Sequence, residues 1–356
     1  MNRLDRFLTA RVISTVMVVI VIVFGIIALG EATDTGRFRM LSGARGDAIA
    51  WLAIVMSAAR WTIKALPVIV LLGGIVALLN LQVHSELVVL KVTGLSVWQI
   101  MRGPVVGLFF LGILVSALLD APVTQINRFI LPANQVPGFS IKTTTDIWLK
   151  QVDDGRTYVV TAARADPDKR GLGNVVVFLG SKFDADRVIA KSARLEGGNW
   201  LFSQVRLLRS NQPGEARETY RLKTESTAAE LDLRLSAAED FTLFEIGRLL
   251  AVGISDPTLR SAAATRFARL LALPAFLVGT LLIAFAFTAG YRRTQSYGGM
   301  VLYGIVLGFV MFVINEMSDR AGSAGILSPE LAALGPATVA IVIGVSVLLY
   351  KEDGRT

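Results

Sequence analysis

Residues 12–30 read VISTVMVVIVIVFGIIALG, nineteen consecutive residues without a charged side chain. An α-helix needs about 20 mainly apolar residues to cross a bilayer, because its peptide groups must hydrogen-bond within the segment where water is absent. Arginines at positions 3, 6 and 11 precede the run, a pattern shared with cleaved signal peptides. The run is too long for a cleaved signal and five similar runs follow, so we interpret it as a retained transmembrane helix.

The other uncharged runs have comparable lengths, and three of the six lie on each side of a polar middle. The second run extends back to Trp51 if Arg60 and Lys64 reach toward an interface with their long side chains. We therefore predict six transmembrane spans, at residues 12–30, 65–83, 103–119, 270–291, 294–315 and 331–350.

The composition separates the chain into two kinds of material. Its 356 residues are 53% hydrophobic and 18% charged, whereas a soluble protein has about 25% charged residues. Residues 126–262 contain 19 Lys/Arg and 17 Asp/Glu. The other 219 residues contain only 17 Lys/Arg and 11 Asp/Glu. With no cysteine and the single His84, disulfides and a histidine metal site are excluded. No cofactor is predicted.

Alternating apolar and polar residues indicate β-strands in the polar middle. The predicted strands are 141–152, 156–165, 174–180, 187–195, 200–209 and 219–223. Turn residues separate them, which is typical of a β-sandwich or jelly roll of about 110 residues. The predicted fold class is an α+β membrane protein with six transmembrane helices and a β-jellyroll domain inserted between helices 3 and 4. We divide the chain at 1–125, 126–256 and 257–356.

Basic residues near the span ends indicate the orientation. With the N-terminus inside, nine Lys/Arg lie in the cytoplasmic segments and four in the short outer loops, so both termini are predicted to be cytoplasmic. Four more cations lie at the span ends that face outward: Arg60, Lys64, Arg266 and Arg269. When they are added to the outer side, the count is nine Lys/Arg inside against eight outside. These four cations either bind an anionic ligand or reach toward lipid headgroups.

The connection after span 2 predicts a short helix on the inner face. Ser85 can cap it, Glu86 lies in its favoured acidic first turn, and Gly94 can end it. Ser96 and Gln99 then form a capping box that opens span 3. Asp256 and Pro257 likewise predict a helix start before span 4, with Asp256 as the cap. No phosphate-binding loop of the G-x-x-x-x-G-K-[ST] type occurs. A separate ATPase could bind the short helix on the inner face, or that helix is a simple connector.

Two other functional classes remain open. The chain could be a sensor or scaffold whose β domain binds a partner, with the spans as an anchor. It could also be an intramembrane enzyme, since Asp120, Glu316 and Asp319 lie at span ends. These acids form no close pair in the sequence, and charges at a membrane interface explain them better.

Residues 84–96, HSELVVLKVTGLS, resemble the SEL-x-x-L-(R/K)-x-x-G-(V/L)-S coupling segment of the LptF/LptG family of lipopolysaccharide export permeases. Further similarity lies in RFARLLALP at 266–274, in the Arg292-Arg293 turn before a glycine-rich span, and in Asn315. The resemblance covers the whole chain. The length and the LDRFL opening at 4–8 favour the LptG type.

This resemblance implies a non-catalytic permease subunit of an ABC transporter in the inner membrane. Its implied partners are an LptF-type permease, a cytoplasmic ATPase dimer of the LptB type, a single-span periplasmic bridge protein of the LptC type with the downstream bridge, and lipopolysaccharide; nucleic acid is not among them. The residues implied in ATPase coupling are Glu86, Leu87, Leu90 and Lys91. The implied lipid-binding candidates are Arg37, Arg39, Arg60, Lys64, Phe309, Phe312 and Ile314.

Overall fold

The structure is a computed structural model that describes residues 3–84, 86, 92–94, 96–130, 147–153, 156–165, 171–179, 186–209, 213–224, 227, 230–231, 233, 240–254, 256–288 and 297–353. The chain forms two compact units. The helical unit comprises Met1–Asn127, Phe241–Gly247 and Ser261–Thr356, and the β unit comprises Arg128–Asp240 and Arg248–Arg260.

Six helices in the described residues are long and apolar enough to cross a membrane, which confirms the predicted spans. Span 3 consists of α4, a π-helical turn at Val115–Leu119 and α5, which follow one another without a break. The helices are α1 (Arg3–Ala32), α2 (Thr35–Arg45), α3 (Asp47–Val83), α4 (Val97–Leu114), α5 (Asp120–Ile130), α6 (Leu243–Val252), α7 (Pro257–Thr288), α8 (Tyr297–Ser323) and α9 (Pro329–Asp353).

Both predicted helix starts are confirmed. Ser96 and Gln99 form the reciprocal capping box before α4, with a Gln99 N–H to Ser96 Oγ distance of 3.3 Å. The backbone amides of Thr258 and Leu259 donate to Asp256 Oδ1 at the start of α7. The short helices α2 and α6 were not predicted, and the helix of span 3 continues to Ile130, past residue 126, where the β domain was predicted to begin.

Helices α3 and α7 form the centre of the helical unit. In their apolar windows 67% and 78% of the residues are buried, against 11% in α1 and 22% in α8. Small residues allow the central helices to approach closely. A Cβ on Gly74 of α3 would lie 3.0 Å from Ala284 Cβ of α7, and one on Gly73 would lie 3.0 Å from Val16 of α1. The outer faces of α1 and α8 are therefore the least covered in the unit.

The β unit contains one antiparallel sheet with the strand order β1-β2-β3-β4-β5-β6. This confirms an inserted β domain between spans 3 and 4. Five predicted strands agree with the observed ones to within a few residues at most ends; the part of the first strand at 141–146 lies outside the described residues. The strands are β1 (Ile147–Asp153), β2 (Arg156–Ala165), β3 (Gly171–Phe178), β4 (Arg187–Glu196), β5 (Asn199–Leu208) and β6 (Glu215–Lys223).

A line of irregular pairing crosses the sheet. Asn174 and Gln204 both have φ of 51° and flank Lys191 of β4. On β4 every second residue is buried, at Val188 and Ala190 before this line and at Ala193 and Leu195 after it. Two exposed residues in a row separate the two sets, so the buried positions are even-numbered before the line and odd-numbered after it. The strand partners keep the same register on both sides of the line, so no residue is inserted. The interruption therefore shifts the alternation of buried and exposed positions without shifting the strand pairing.

Residues near the two ends of the sheet hydrogen-bond to each other across a shared core. Gln151 on β1 is buried, and its Oε1 accepts hydrogen bonds from Trp200 Nε1 at 3.3 Å and from the Thr224 hydroxyl at 2.5 Å. The Tyr158 hydroxyl on β2 donates to the Lys223 carbonyl at 3.0 Å. Trp200, Tyr158 and Phe202 are the largest fully buried side chains here. The β unit thus forms its core within a single sheet whose strands pair in chain order.

Candidate functional site

The three acids at the span ends each pair with a cation on another helix. Asp120 begins α5 and pairs with Arg266 of α7, with Arg266 Nη2 3.2 Å from Asp120 Oδ2. Both side chains are almost entirely buried, at 7% and 9% exposure. Arg266 also donates from Nε to the Phe241 carbonyl at 3.0 Å and lies 3.5 Å from the Thr124 hydroxyl. Arg266 therefore joins span 3, span 4 and the segment that leads into α6.

The π-helical turn positions Asp120 for this pair. The Asp120 N–H donates to the Val115 carbonyl five residues earlier, whereas an α-helix would bond four residues back. One extra residue in the turn rotates every later side chain around the helix axis. The rotation places Asp120 against Arg266, so this charge pair could not be read from the regular spacing of the sequence.

A second cluster joins α3 to α8. Lys64 Nζ lies 2.8 Å from Glu316 Oε2, and Arg320 Nε lies 3.1 Å from Glu316 Oε1 on the same helix. The Lys64 and Glu316 side chains are 25% and 19% exposed, and that of Arg320 is 78% exposed. Lys64 Nζ also lies 5.4 Å from the centre of the Trp61 ring. Arg320 was not predicted as a partner of Glu316, although the spacing of four residues between them is visible in the sequence.

A third ion pair joins Arg269 of α7 to Asp319 of α8. The positive charges of Arg269 and Arg60 also act on the Asp120 carboxylate. We call the eight residues the distal charge belt, because they lie at the bundle end opposite the N-terminus: Arg60, Lys64, Asp120, Arg266, Arg269, Glu316, Asp319 and Arg320. Pairing between helices thus explains why Lys64, Arg266 and Arg269 lie at this end of the bundle.

The belt combines paired acids with an excess of positive charge. Each of Asp120, Glu316 and Asp319 lies beside a cation of another helix. With five cations and three acids the belt keeps a net charge of +2, which is suited to an anionic ligand.

The predicted cations before span 2 lie on the unpredicted helix α2. This helix contains Arg37, Arg39 and Arg45 and no acid. Arg39 is exposed, while the side chain of Arg37 lies outside the described residues. The Phe38 ring meets Trp51 of α3 edge to face at 5.4 Å, which holds α2 against the start of span 2. Helix α2 is thus a short basic element beside that span.

The predicted acyl-chain contacts lie on a poorly covered helix. Phe309 and Ile314 on α8 are 65% and 42% exposed, and Phe312 is half-buried. Exposed apolar side chains continue along α8 at Leu302 and Val306. Span 1 presents a similar face along α1, at Val18, Val21, Ile22, Ile26 and Leu29.

The connection after span 2 is described only in part. Glu86 is half-buried, and one of its carboxylate oxygens is shielded from solvent without a hydrogen-bond partner among the described residues. Leu87, Leu90 and Lys91 lie outside the described residues. Gly94 has φ of 81°, the left-handed conformation expected for a helix stop.

Gln82, just before the connection, was missed by sequence reasoning. Its Nε2 donates to the Thr288 carbonyl at the end of α7, at 2.8 Å. This bond satisfies a carbonyl that a helix end leaves unpaired. It joins the C-terminal ends of spans 2 and 4, and no spacing rule in the sequence could have paired two residues so far apart.

Six apolar spans with a β unit inserted between the third and fourth define a multi-pass membrane protein. The chain belongs to the lipopolysaccharide export system permease LptF/LptG family, whose profile matches residues 6–351. It is also 23% identical, over 373 aligned positions, to the lipopolysaccharide export system permease protein LptG of Haemophilus influenzae, and the alignment covers 99% of each chain. It is therefore a permease component of a lipopolysaccharide export system.

Proposed function

We propose that this chain is the LptG-type permease subunit of an ABC transporter that extracts lipopolysaccharide from the inner membrane and passes it to a periplasmic bridge. The full-length similarity to a relative named LptG supports the type. The observation that carries the transport path is the pair of poorly covered apolar faces on α1 and α8. A second permease of the LptF type would cover these faces and enclose a lipid path between the two chains.

The proposed path has an apolar part along α8 for the acyl chains and a basic part near the distal end for the phosphates of the lipid. Phe309, Phe312 and Ile314 of α8 would contact acyl chains. The basic side chains near the distal end would meet the phosphates, since cations and phosphate oxygens form strong charge-assisted hydrogen bonds. These basic candidates are Arg37, Arg39, Arg60 and Lys64.

The orientation and partners complete the proposal. The basic-residue count supports cytoplasmic termini, which puts the β unit in the periplasm, where an LptC-type protein and the downstream bridge would receive the lipid. The chain contains no phosphate-binding loop, so a cytoplasmic ATPase dimer of the LptB type would supply the energy. Glu86 would bind a basic residue of that ATPase, with Leu87, Leu90 and Lys91 beside it.

Reversing the charge at Glu86 tests the coupling. We expect Glu86→Lys to lower the ATPase retained with the purified permease pair by about tenfold or more, because a lost ion pair and a new repulsion act together at one contact. Glu330→Lys, the same change on an exposed residue at the opposite end of the bundle, should retain the ATPase. Equal retention in both variants would remove Glu86 from the interface. If the permease never purifies with an ATPase, the result would favour the alternative of a sensor or scaffold that the spans only anchor.

Photocrosslinking tests the lipid path. A photoreactive phenylalanine analogue at Phe309 is expected to form adducts with lipopolysaccharide in membranes, and the adducts should decrease when ATP drives transport. Val342 on α9 is the matched control, since it is also apolar and 56% exposed and should yield only phospholipid adducts. Phospholipid adducts alone at both positions would contradict a lipid path along α8.

A further inference from the structure

Of the three ion pairs that join different helices in the distal charge belt, Lys64 with Glu316 is the one most open to exchange. Its side chains are 25% and 19% exposed, whereas those of Arg266 and Asp120 are 7% and 9% exposed. Exposed ion pairs contribute little to stability, because solvent screens them. An anion that arrives from the membrane surface can therefore compete for Lys64, while Arg266 remains occupied inside the bundle.

Glu316 has a second cation available when Lys64 is taken. Arg320 lies one turn later on α8, with Nε 3.1 Å from Glu316 Oε1. A phosphate oxygen bound to Lys64 would leave the Glu316–Arg320 pair intact. The phosphate would then be paired with Lys64 and the Glu316 carboxylate with Arg320. The three residues carry a net charge of +1 before the exchange. The cluster thus attracts an anion and can accept it without exposing an unpaired acid.

The pair also closes the outer end of a tight contact between α3 and α8. A Cβ on Gly308 would lie 3.0 Å from Val68 Cγ1, and one on Gly304 would lie 2.6 Å from Ile75 Cδ1. Lys64 and Glu316 follow these contacts along the same two helices. Exchange at Lys64 therefore acts on α8, the helix that exposes Phe309 and Ile314.

We propose that Glu316 is a specificity-determining residue that competes with the lipid phosphate for Lys64, so that only a lipid with a sufficiently strong anionic headgroup takes the cation and releases Glu316 to Arg320. This inference rests on the proposed lipid path. It predicts that removing the charge of Glu316 strengthens binding, because the internal competitor is lost.

The experiment compares binding of two lipid probes to the intact transporter in nanodiscs. The probes are lipid A with both phosphates and the same lipid without phosphates. Glu316→Gln is expected to raise the affinity for the phosphorylated probe about two- to fivefold, the range expected for a partly exposed ion pair. Affinity for the phosphate-free probe should not change, and adding Lys64→Gln should abolish the gain.

Glu330→Gln is the control for general electrostatics, since it removes an exposed negative charge at the same end of the bundle. A gain of equal size in Glu330→Gln, or no gain in Glu316→Gln, would overturn the exchange. A wild-type protein that binds both probes equally would instead overturn the phosphate site of the proposed function. Thermal unfolding of each variant shows whether a change in binding reflects a change in folding.

Discussion

Replacement of Arg266 by methionine is expected to destabilise the protein by about 3–5 kcal/mol, because it removes the guanidinium that is paired with the buried Asp120 carboxylate. Methionine fills a similar volume, so the lost charge rather than a cavity dominates the effect. The change also removes the donor to the Phe241 carbonyl. Thermal unfolding in detergent, followed by the loss of helical circular dichroism, measures the effect.

Arg320→Met is the matched control for the loss of an arginine. Arg320 also pairs with an acid, but its side chain is 78% exposed, so its removal should cost at most about 1 kcal/mol. If Arg266→Met were no less stable than Arg320→Met, the buried pair with Asp120 would not contribute to folding.

The double variant Arg266→Met with Asp120→Leu removes both charges, so it distinguishes the loss of the ion pair from the cost of leaving one charge of the pair buried without the other. A buried ion pair can be replaced by apolar residues at little cost, because the desolvation penalty disappears together with the attraction. We therefore expect the double variant to recover most of the stability that Arg266→Met loses. Together with the single variant Asp120→Leu, the double variant completes a cycle that gives the interaction energy between these two neighbouring sites.

The sequence predicted the spans and the inserted β domain because both depend on local composition. Uncharged runs of span length and alternating strands need no knowledge of the neighbouring elements. The caps at Ser96 and Asp256 were predicted for the same reason, since each lies within three residues of the amide that it accepts. Local rules therefore accounted for where elements begin and end.

The charge pairs were not predicted, because they depend on helix rotation. A helix that is apolar on all sides gives no hydrophobic face from which to infer its rotation. The π-helical turn at Val115–Leu119 adds a rotation that no spacing indicates. The residues with positive φ, Asn174 and Gln204, likewise shift the alternation of buried positions in the strands. Lys64 was thus predicted as a cation for a ligand, and its partner Glu316 emerged only from the packing of α3 on α8.

Gly112→Ala is expected to destabilise the helical unit by about 1–3 kcal/mol, because overpacking forces backbone shifts. A Cβ at this position would lie 2.5 Å from Pro274 Cα and 3.0 Å from Pro274 N. These are backbone atoms of α7, so no side chain can rotate away. Gly112→Val should be worse, since its branched side chain adds two more carbons to the same contact. Thermal unfolding of the full chain measures both.

Gly25→Ala is the matched control, because a Cβ on Gly25 of α1 has nothing within 4 Å. Alanine favours a helix over glycine by about 1 kcal/mol, so this variant should be as stable as the wild type or more so. Pro274→Ala should not rescue Gly112→Ala, since every residue at position 274 has a Cα in the same place. A rescue would mean that the proline ring, rather than the close approach of the two backbones, sets the spacing of spans 3 and 4.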